Sequence, residues 1–89
     1  MDKVWIVTTK LDYGPDEFIE GVFDSYELAH KAAEDIWRSY NPDEDGYLWK
    51  RREVNEEDLC KITIYYTDKK TFDEWCFATI KIEPYIVWH

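Results

Sequence analysis

The chain has 89 residues, with 20 acidic side chains against 11 Lys and Arg, and its formal net charge is −9 at pH 7. Five Trp, seven Tyr and four Phe exclude a disordered acidic tail, because side chains of that size carry most of the burial in a small domain. The length fits one domain with a single core. The acidity disfavours nucleic acid and anionic membranes as partners, and it favours proteins with a basic surface or groove.

The cellular location is predicted from what the sequence lacks. Residues 1–7 enter a strand-like pattern directly, without the apolar stretch of a signal peptide. No apolar run approaches the ~20 residues that a membrane-spanning helix needs. Two cysteines are too few to cross-link a small secreted domain. We therefore expect a cytoplasmic protein, in the host cell cytoplasm if it is encoded by a phage.

The first two strands form a predicted hairpin. Residues 3–9 are rich in β-branched side chains, and residues 17–23 form a second apolar segment. Gly14 and Pro15 lie in the turn between them. Because the connection is short, the two strands are expected to pair antiparallel.

A helix is predicted from Asp24 to about residue 40. Asp24 is a suitable N-cap, and Glu27, three positions on, completes an Asp variant of the capping box. Phe23 and Leu28 supply a hydrophobic staple. An Asn-Pro pair then stops the helix. The predicted buried stripe consists of Leu28, Ala32, Ile36 and Tyr40, widened by Ala29, Ala33 and Trp37.

The second half of the chain gives a weaker pattern. A short strand is expected at residues 47–49 and a helical turn at residues 55–59. Alternating apolar residues predict a strand that starts at residue 60 and a second strand over residues 72–82. Pro84 is expected to end the second strand, with a short terminal strand after it.

The register of this last hairpin follows from the choice of loop. With residues 69 and 70 as the loop, Ile62 would face Phe77 and Ile64 would face Trp75. The apolar phase changes beyond Ala78, which indicates a bulge or a strand buried on both faces.

The predicted fold is α+β, one amphipathic helix packed on an antiparallel sheet of about four to five strands in β-β-α-β-β order. The whole chain, residues 1–89, is expected to be a single acidic domain.

One loop partly resembles a calcium site. Oxygen-bearing residues Asn41, Asp43 and Asp45 stand at positions one, three and five, with Gly46 at position six. Position twelve is Arg52 where a bidentate Glu is required. The pattern therefore predicts an acidic loop and no metal.

The remaining reactive side chains predict no catalytic site. The basic run at residues 50–52 is expected to balance the neighbouring acids rather than to bind phosphate. His30 and His89 have no nucleophile at a spacing typical of a catalytic group. In the predicted register, Cys60 and Cys76 lie farther apart than the ~7 Å that a disulfide allows. We expect two free thiols, no cofactor and no enzymatic activity.

The acidic clusters are the candidate binding surface. They are concentrated in the middle of the chain, where loops carry side chains without disturbing the core. Aromatic residues among them favour an interface, since such residues are enriched at the centres of protein interfaces. The candidate partner-binding residues are Asp43, Glu44, Asp45, Tyr47, Trp49, Glu56, Glu57 and Asp58.

Residues 4–9, 18–23 and 25–33 resemble a group of small uncharacterised proteins from tailed phages and their bacterial hosts. Members of that group open with a similar strand, a turn with Tyr and Asp, an apolar strand ending in Val-Phe, and a capped helix. The resemblance implies a β-β-α core and a phage or mobile-element origin. It carries no catalytic residue to this chain.

Two functions are consistent with these features. The first is a non-enzymatic inhibitor or modulator that binds a basic host or defence protein, with an acidic surface that imitates nucleic acid. The second is a housekeeping interaction module whose acidity serves solubility.

Overall fold

The computed structural model describes residues 2–12, 14–39, 46–57 and 59–87. It confirms the α+β class, with one helix and a five-stranded antiparallel sheet. The elements in chain order are β1 (Asp2–Leu11), β2 (Glu17–Phe23), α1 (Tyr26–Ser39), β3 (Tyr47–Glu56), β4 (Leu59–Asp68) and β5 (Glu74–Val87). The predicted first hairpin, β1 with β2, is confirmed.

The strands lie in the order β2-β1-β5-β4-β3, so β1 and β5 pair inside the sheet and β2 and β3 form its edges. The helix packs on one face, mainly over β1, β2 and β5. The core between them consists of small helix residues and branched strand residues, which allow the helix to lie close to the sheet. The wholly buried apolar residues are Val7, Ala29, Ala33, Cys60, Ile62, Ile64, Ala78, Ile80 and Ile82.

The helix begins one residue later than the capping pattern predicted. The backbone N–H of Leu28 donates a 3.2 Å hydrogen bond to the Ser25 hydroxyl, so Ser25 is the N-cap and Asp24 is not. The buried stripe is also displaced by one position. Ala29 and Ala33 are wholly buried, whereas Leu28 is 51% exposed. Leu28 therefore does not belong to the buried stripe and the staple predicted through it was wrong, whereas Ala29, Ala33, Ile36 and Trp37 face the core as predicted. Tyr40 lies outside the described residues.

The middle of the chain differs most from expectation. Residues 47–56 form one continuous edge strand, and the helical turn predicted at residues 55–59 was wrong for the described residues, because Asn55 and Glu56 belong to β3 and Leu59 to β4. Glu57 has a positive φ of 48° and starts the connection to β4. Nearly all of β3 is exposed, so no apolar alternation marked it in the sequence. Pairing with β4 along ten residues makes it a strand.

The register between β4 and β5 is displaced from the predicted one by two residues next to the turn, because the connecting turn is longer than two residues. A bulge adds a third residue, so that Ile62 lies opposite Ile80 and Ile64 opposite Ala78. Near Phe77 the register shifts, and this bulge accounts for the change of apolar phase seen in the sequence.

Strand β5 continues through Pro84 instead of ending there. Pro84 lies opposite Trp5 of β1, whereas the pairing with β4 ends at Ile82. Beyond Ile82 the β4 side of β5 is therefore a sheet edge, a position where proline is tolerated in a strand.

The two cysteines are free, as predicted, although their partners differ from the expected ones. Cys60 lies opposite Ile82, and Cys76 lies opposite Tyr65. The calcium-like residues Asn41, Asp43 and Asp45 lie outside the described residues. Within the described part of the chain, no helix is long and apolar enough to cross a membrane.

Candidate functional site

The structure separates the predicted binding residues that it describes. Tyr47 and Trp49 lie at the start of β3, and Glu56 and Glu57 lie at its far end, about 25 Å along an extended strand. These four residues therefore do not form one surface. The other candidates, Asp43, Glu44, Asp45 and Asp58, lie outside the described residues.

Tyr47 and Trp49 belong to a larger group of rings, which we call the aromatic patch. Tyr66 of β4 lies between Trp49 of β3 and Trp75 of β5 in the strand register, so three rings stand side by side across three strands. Tyr66 and Trp75 stack with ring centroids 5.3 Å apart. The aromatic patch consists of Tyr47, Trp49, Tyr66, Trp75 and Phe77.

The aromatic patch lies on the helix side of the sheet. Side chains alternate along a strand, so Trp49 shares a face with Arg51, whose guanidinium contacts Glu34 on the helix. The described helix ends at Ser39, and the outer rings of the patch are open to solvent. Tyr47 is 38% exposed and Trp75 is 42% exposed. Packing within the patch fixes the inner rings, while the outer rings are available for contact.

Acidic side chains lie in two turns, which we call the acidic turns, at the same end of the sheet as the aromatic patch. Glu74 and Glu17 of these turns point to the face away from the helix, where Glu74 lies 3.8 Å from Arg52 and Glu17 lies 3.7 Å from Lys81. Both turns stand at the same end of the sheet, since the strands they join are antiparallel neighbours in the register. The backbone N–H of Asp12 donates a 2.9 Å hydrogen bond to the carbonyl oxygen of Phe77, which ties the first turn to the patch strand. The acidic turns contribute Asp12, Asp16, Glu17, Asp68, Asp73 and Glu74.

Basic side chains are distributed differently. Arg51 contacts the helix through a 2.6 Å hydrogen bond to Glu34, and Arg52 lies on the other face, 3.8 Å from Glu74. The basic run is thus divided between two faces and pairs with acids other than its sequence neighbours. Lys61 and Lys81 also lie opposite each other on the face away from the helix.

A second group of polar side chains joins the helix to β3 and β4, and we call it the His30 cluster. His30 Nε2 lies 3.2 Å from Glu53 Oε1. Nitrogen, oxygen and sulfur atoms of His30, Glu53 and Cys60 all lie within 4.8 Å of one another. Asn55 donates a 3.0 Å hydrogen bond from Nδ2 to the other oxygen of Glu53.

The ionisation of this cluster follows from its contacts. Two hydrogen bonds lower the pKa of Glu53, and the bond from Asn55 has a larger effect than the bond with His30. Burial raises the pKa of the Cys60 thiol, and the negative charge of the nearby Glu53 adds a smaller effect in the same direction. The free thiol is therefore a poor nucleophile at neutral pH, since the thiolate is the reactive form.

Sequence reasoning missed that Tyr66, Trp75 and Phe77 form one group, and it did not connect His30 with Glu53. Aromatic residues at positions 66, 75 and 77 were visible, but their grouping depends on the true β4–β5 register. The cluster joins residues 23 and 30 positions apart with no sequence motif between them.

Fold and surface define a small α+β domain with an aromatic patch at one end of its sheet. The chain belongs to the family described as Domain of unknown function (DUF7336), which matches residues 2–63. The matched segment includes the whole His30 cluster and ends before Trp75 and Phe77. No curated protein and no solved structure matches the chain.

Proposed function

We propose that this chain is a non-enzymatic protein-binding module that takes a basic segment of its partner on the aromatic patch. The observation that carries the proposal is the row of Trp49, Tyr66 and Trp75 across three strands, with Trp75 42% exposed. Aromatic rings provide large contact area at low entropic cost, and they attract Arg and Lys through cation–π interactions.

The acidic turns support the basic character of the partner. Asp68, Asp73 and Glu74 follow one another around the turn that carries Trp75, and Asp12 is bonded to the backbone at Phe77. Charges of this kind mainly speed the encounter with an oppositely charged partner, while the buried rings set the lifetime of the complex.

We further propose that the partner is a host or defence protein with a basic groove, and that the chain acts on it in the cytoplasm as an inhibitor of phage or mobile-element origin. The net charge of −9 supports this proposal, as does the resemblance of the N-terminal half to phage proteins. An acidic surface of this kind imitates the phosphate backbone that such a groove would otherwise hold.

Binding of a defined Arg- and Lys-rich peptide tests the proposal, with tryptophan fluorescence and stopped-flow kinetics as readouts. Trp75→Ala should weaken binding at least tenfold, because removal of a central interface aromatic typically costs about 2 kcal/mol or more. Phe18→Ala is the matched control, since Phe18 is an exposed ring, at 54%, on the edge strand β2 at the other side of the sheet. Equal affinities of these two variants for the peptide would contradict the assignment of the patch.

The role of charge is tested with two variants of equal net charge. Asp73→Lys with Glu74→Lys alters an acidic turn, whereas Glu27→Lys with Asp35→Lys alters exposed acids on the helix. Only the first variant should slow association strongly. Raising salt from ~50 to ~500 mM, about a threefold change in Debye length, should slow the association of the wild-type chain with the peptide. Equal effects of both variants would reduce the acidity to a solubility feature of a housekeeping module.

A further inference from the structure

We propose that His30, Glu53 and Cys60 form a binding site for Zn²⁺, with an open coordination position that faces solvent. The inference is independent of the proposed protein-binding role, because it concerns the opposite half of β3 and different side chains. No metal-binding motif in the sequence marks these positions.

The donor atoms have the composition that zinc prefers. Imidazole nitrogen, carboxylate oxygen and thiolate sulfur are the three ligand types found in protein zinc sites, whereas calcium takes oxygen ligands. Cys60 supplies a sulfur atom, which favours a borderline-soft ion over the hard ions that an acidic loop attracts.

The distances require little rearrangement. The three donor atoms lie within 4.8 Å of one another, and His30 Nε2 is already 3.2 Å from Glu53 Oε1. Ligand bonds of about 2.0 Å to N and O and about 2.3 Å to S place tetrahedral donors roughly 3.3–3.5 Å apart. Side-chain rotations that move the sulfur about 1 Å closer would therefore suffice.

The ligands come from three elements that the fold already holds together. His30 lies on α1, Glu53 on β3 and Cys60 on β4, and β3 and β4 are paired over this region. Asn55 lies opposite Cys60 and donates a hydrogen bond of 3.0 Å to the second oxygen of Glu53. The hydroxyl of Tyr26 in turn donates to Asn55 Oδ1 at 3.3 Å. Outer contacts of this kind orient metal ligands and sustain affinity.

The charges balance when the ion binds. One thiolate and one carboxylate neutralise Zn²⁺, and the nearby Arg51 and Glu34 neutralise each other at 2.6 Å. Binding displaces the thiol proton of Cys60, so that sulfur binds the ion as a thiolate. His30 is 32% exposed, which leaves the fourth position to water or an external ligand.

Cobalt(II) titration of the untagged, chelator-treated full chain tests the proposal, because a Co²⁺–thiolate bond gives a near-ultraviolet charge-transfer band. Wild type should show this band, and Zn²⁺ should displace Co²⁺ and bleach it. Cys60→Ser should abolish the band, and the matched control Cys76→Ser should retain it. Loss of the band in Cys76→Ser, or no band in wild type, would overturn the site.

Calorimetric Zn²⁺ titration adds variants that leave the core intact. His30→Gln and Glu53→Gln should weaken Zn²⁺ binding by more than about 100-fold, and Asn55→Ala by about tenfold, as losses of metal ligands and of their supporting contacts do. Unchanged affinity in His30→Gln, with its helical circular dichroism intact, would exclude the proposed ligand set even if zinc binds elsewhere.

Discussion

The guanidinium of Arg51 donates a 2.6 Å hydrogen bond to Glu34 and so joins the edge strand β3 to the helix. The same guanidinium lies 5.7 Å from the centre of the Trp37 ring. The hydrogen bond raises the pKa of Arg51, so its charge persists at every practical pH. Strand β3 is exposed along nearly its whole length, and these contacts give it a second attachment besides its pairing with β4.

A double-mutant cycle measures this attachment. Arg51→Ala, Glu34→Ala and the double variant should give a coupling of about 0.5–1 kcal/mol in urea unfolding, because both side chains are partly exposed and screened. Lys50→Ala is the neighbouring control and should change stability by less than about 0.5 kcal/mol. A coupling of zero would mean that the helix and β3 are held together by packing alone.

The N-cap gives a second prediction. Ser25→Ala removes the hydroxyl that accepts the Leu28 N–H and should cost about 1 kcal/mol of unfolding free energy. Ser25→Thr keeps a hydroxyl in the same position and should recover most of this loss. Thermal and urea unfolding check the result. If Asp24→Ala proves more costly than Ser25→Ala, the helix would have to start at Asp24.

Local signals made the first half of the fold predictable. The β1–β2 hairpin and the helix depend on residues within a few positions of one another, so β-branched runs, Gly14-Pro15 and the cap region indicate them. The cap was misplaced by one residue because Asp24 and Ser25 both suit an N-cap, and only the backbone path decides between them.

The second half depends on contacts that no short window contains. Strand β3 is charged on both faces and exists because β4 pairs with it. The aromatic patch needs the true β4–β5 register, and a slip of one residue would move Trp75 to the opposite face. The His30 cluster joins three elements that are distant in sequence, so its side chains show no common spacing.

Thiol labelling gives a third prediction. Cys76 is partly buried, and this burial raises the pKa of its thiol. The neighbouring Asp12 raises the same pKa further, by a smaller amount. Its reaction with iodoacetamide in chelator-containing buffer should therefore follow a pKa above the ordinary value of ~8.5. Asp12→Asn should lower that pKa and speed labelling at pH 8, and Asp16→Asn should not. Cys60, which is wholly buried, should react only after unfolding.

The same shift affects stability with a definite sign. The native thiol of Cys76 holds its proton more tightly than the unfolded one, so the native state is favoured less as the pH rises above the unfolded pKa. The free energy of urea unfolding should therefore fall between pH 8 and pH 10 more for the wild type than for Cys76→Ser. Parallel pH profiles for the two proteins would contradict the raised pKa.

The turn between β4 and β5 gives the last prediction, because its geometry fixes the register that sequence reasoning missed. The carboxylate of Asp68 accepts hydrogen bonds of 2.7 Å from the Lys70 N–H and 3.2 Å from the Thr71 N–H. The backbone N–H of Phe72 also donates to the carbonyl oxygen of Asp68 at 2.9 Å, and Phe72 has a positive φ of 63°. The strands therefore resume pairing only at Glu74, beyond a five-residue turn.

Asp68→Ala removes both side-chain hydrogen bonds and should cost about 1–3 kcal/mol of unfolding free energy, since a net hydrogen bond contributes about 0.5–1.5 kcal/mol. Asp68→Asn keeps an acceptor oxygen and should retain more than half of that stability. Asp73→Ala is the control within the same turn. Urea unfolding measures the cost, and the fluorescence of Trp75 reports whether its ring stays stacked on Tyr66. Wild-type stability in Asp68→Ala, with unchanged Trp75 fluorescence, would show that the core positions Ile62 and Ile80 set the register without the turn.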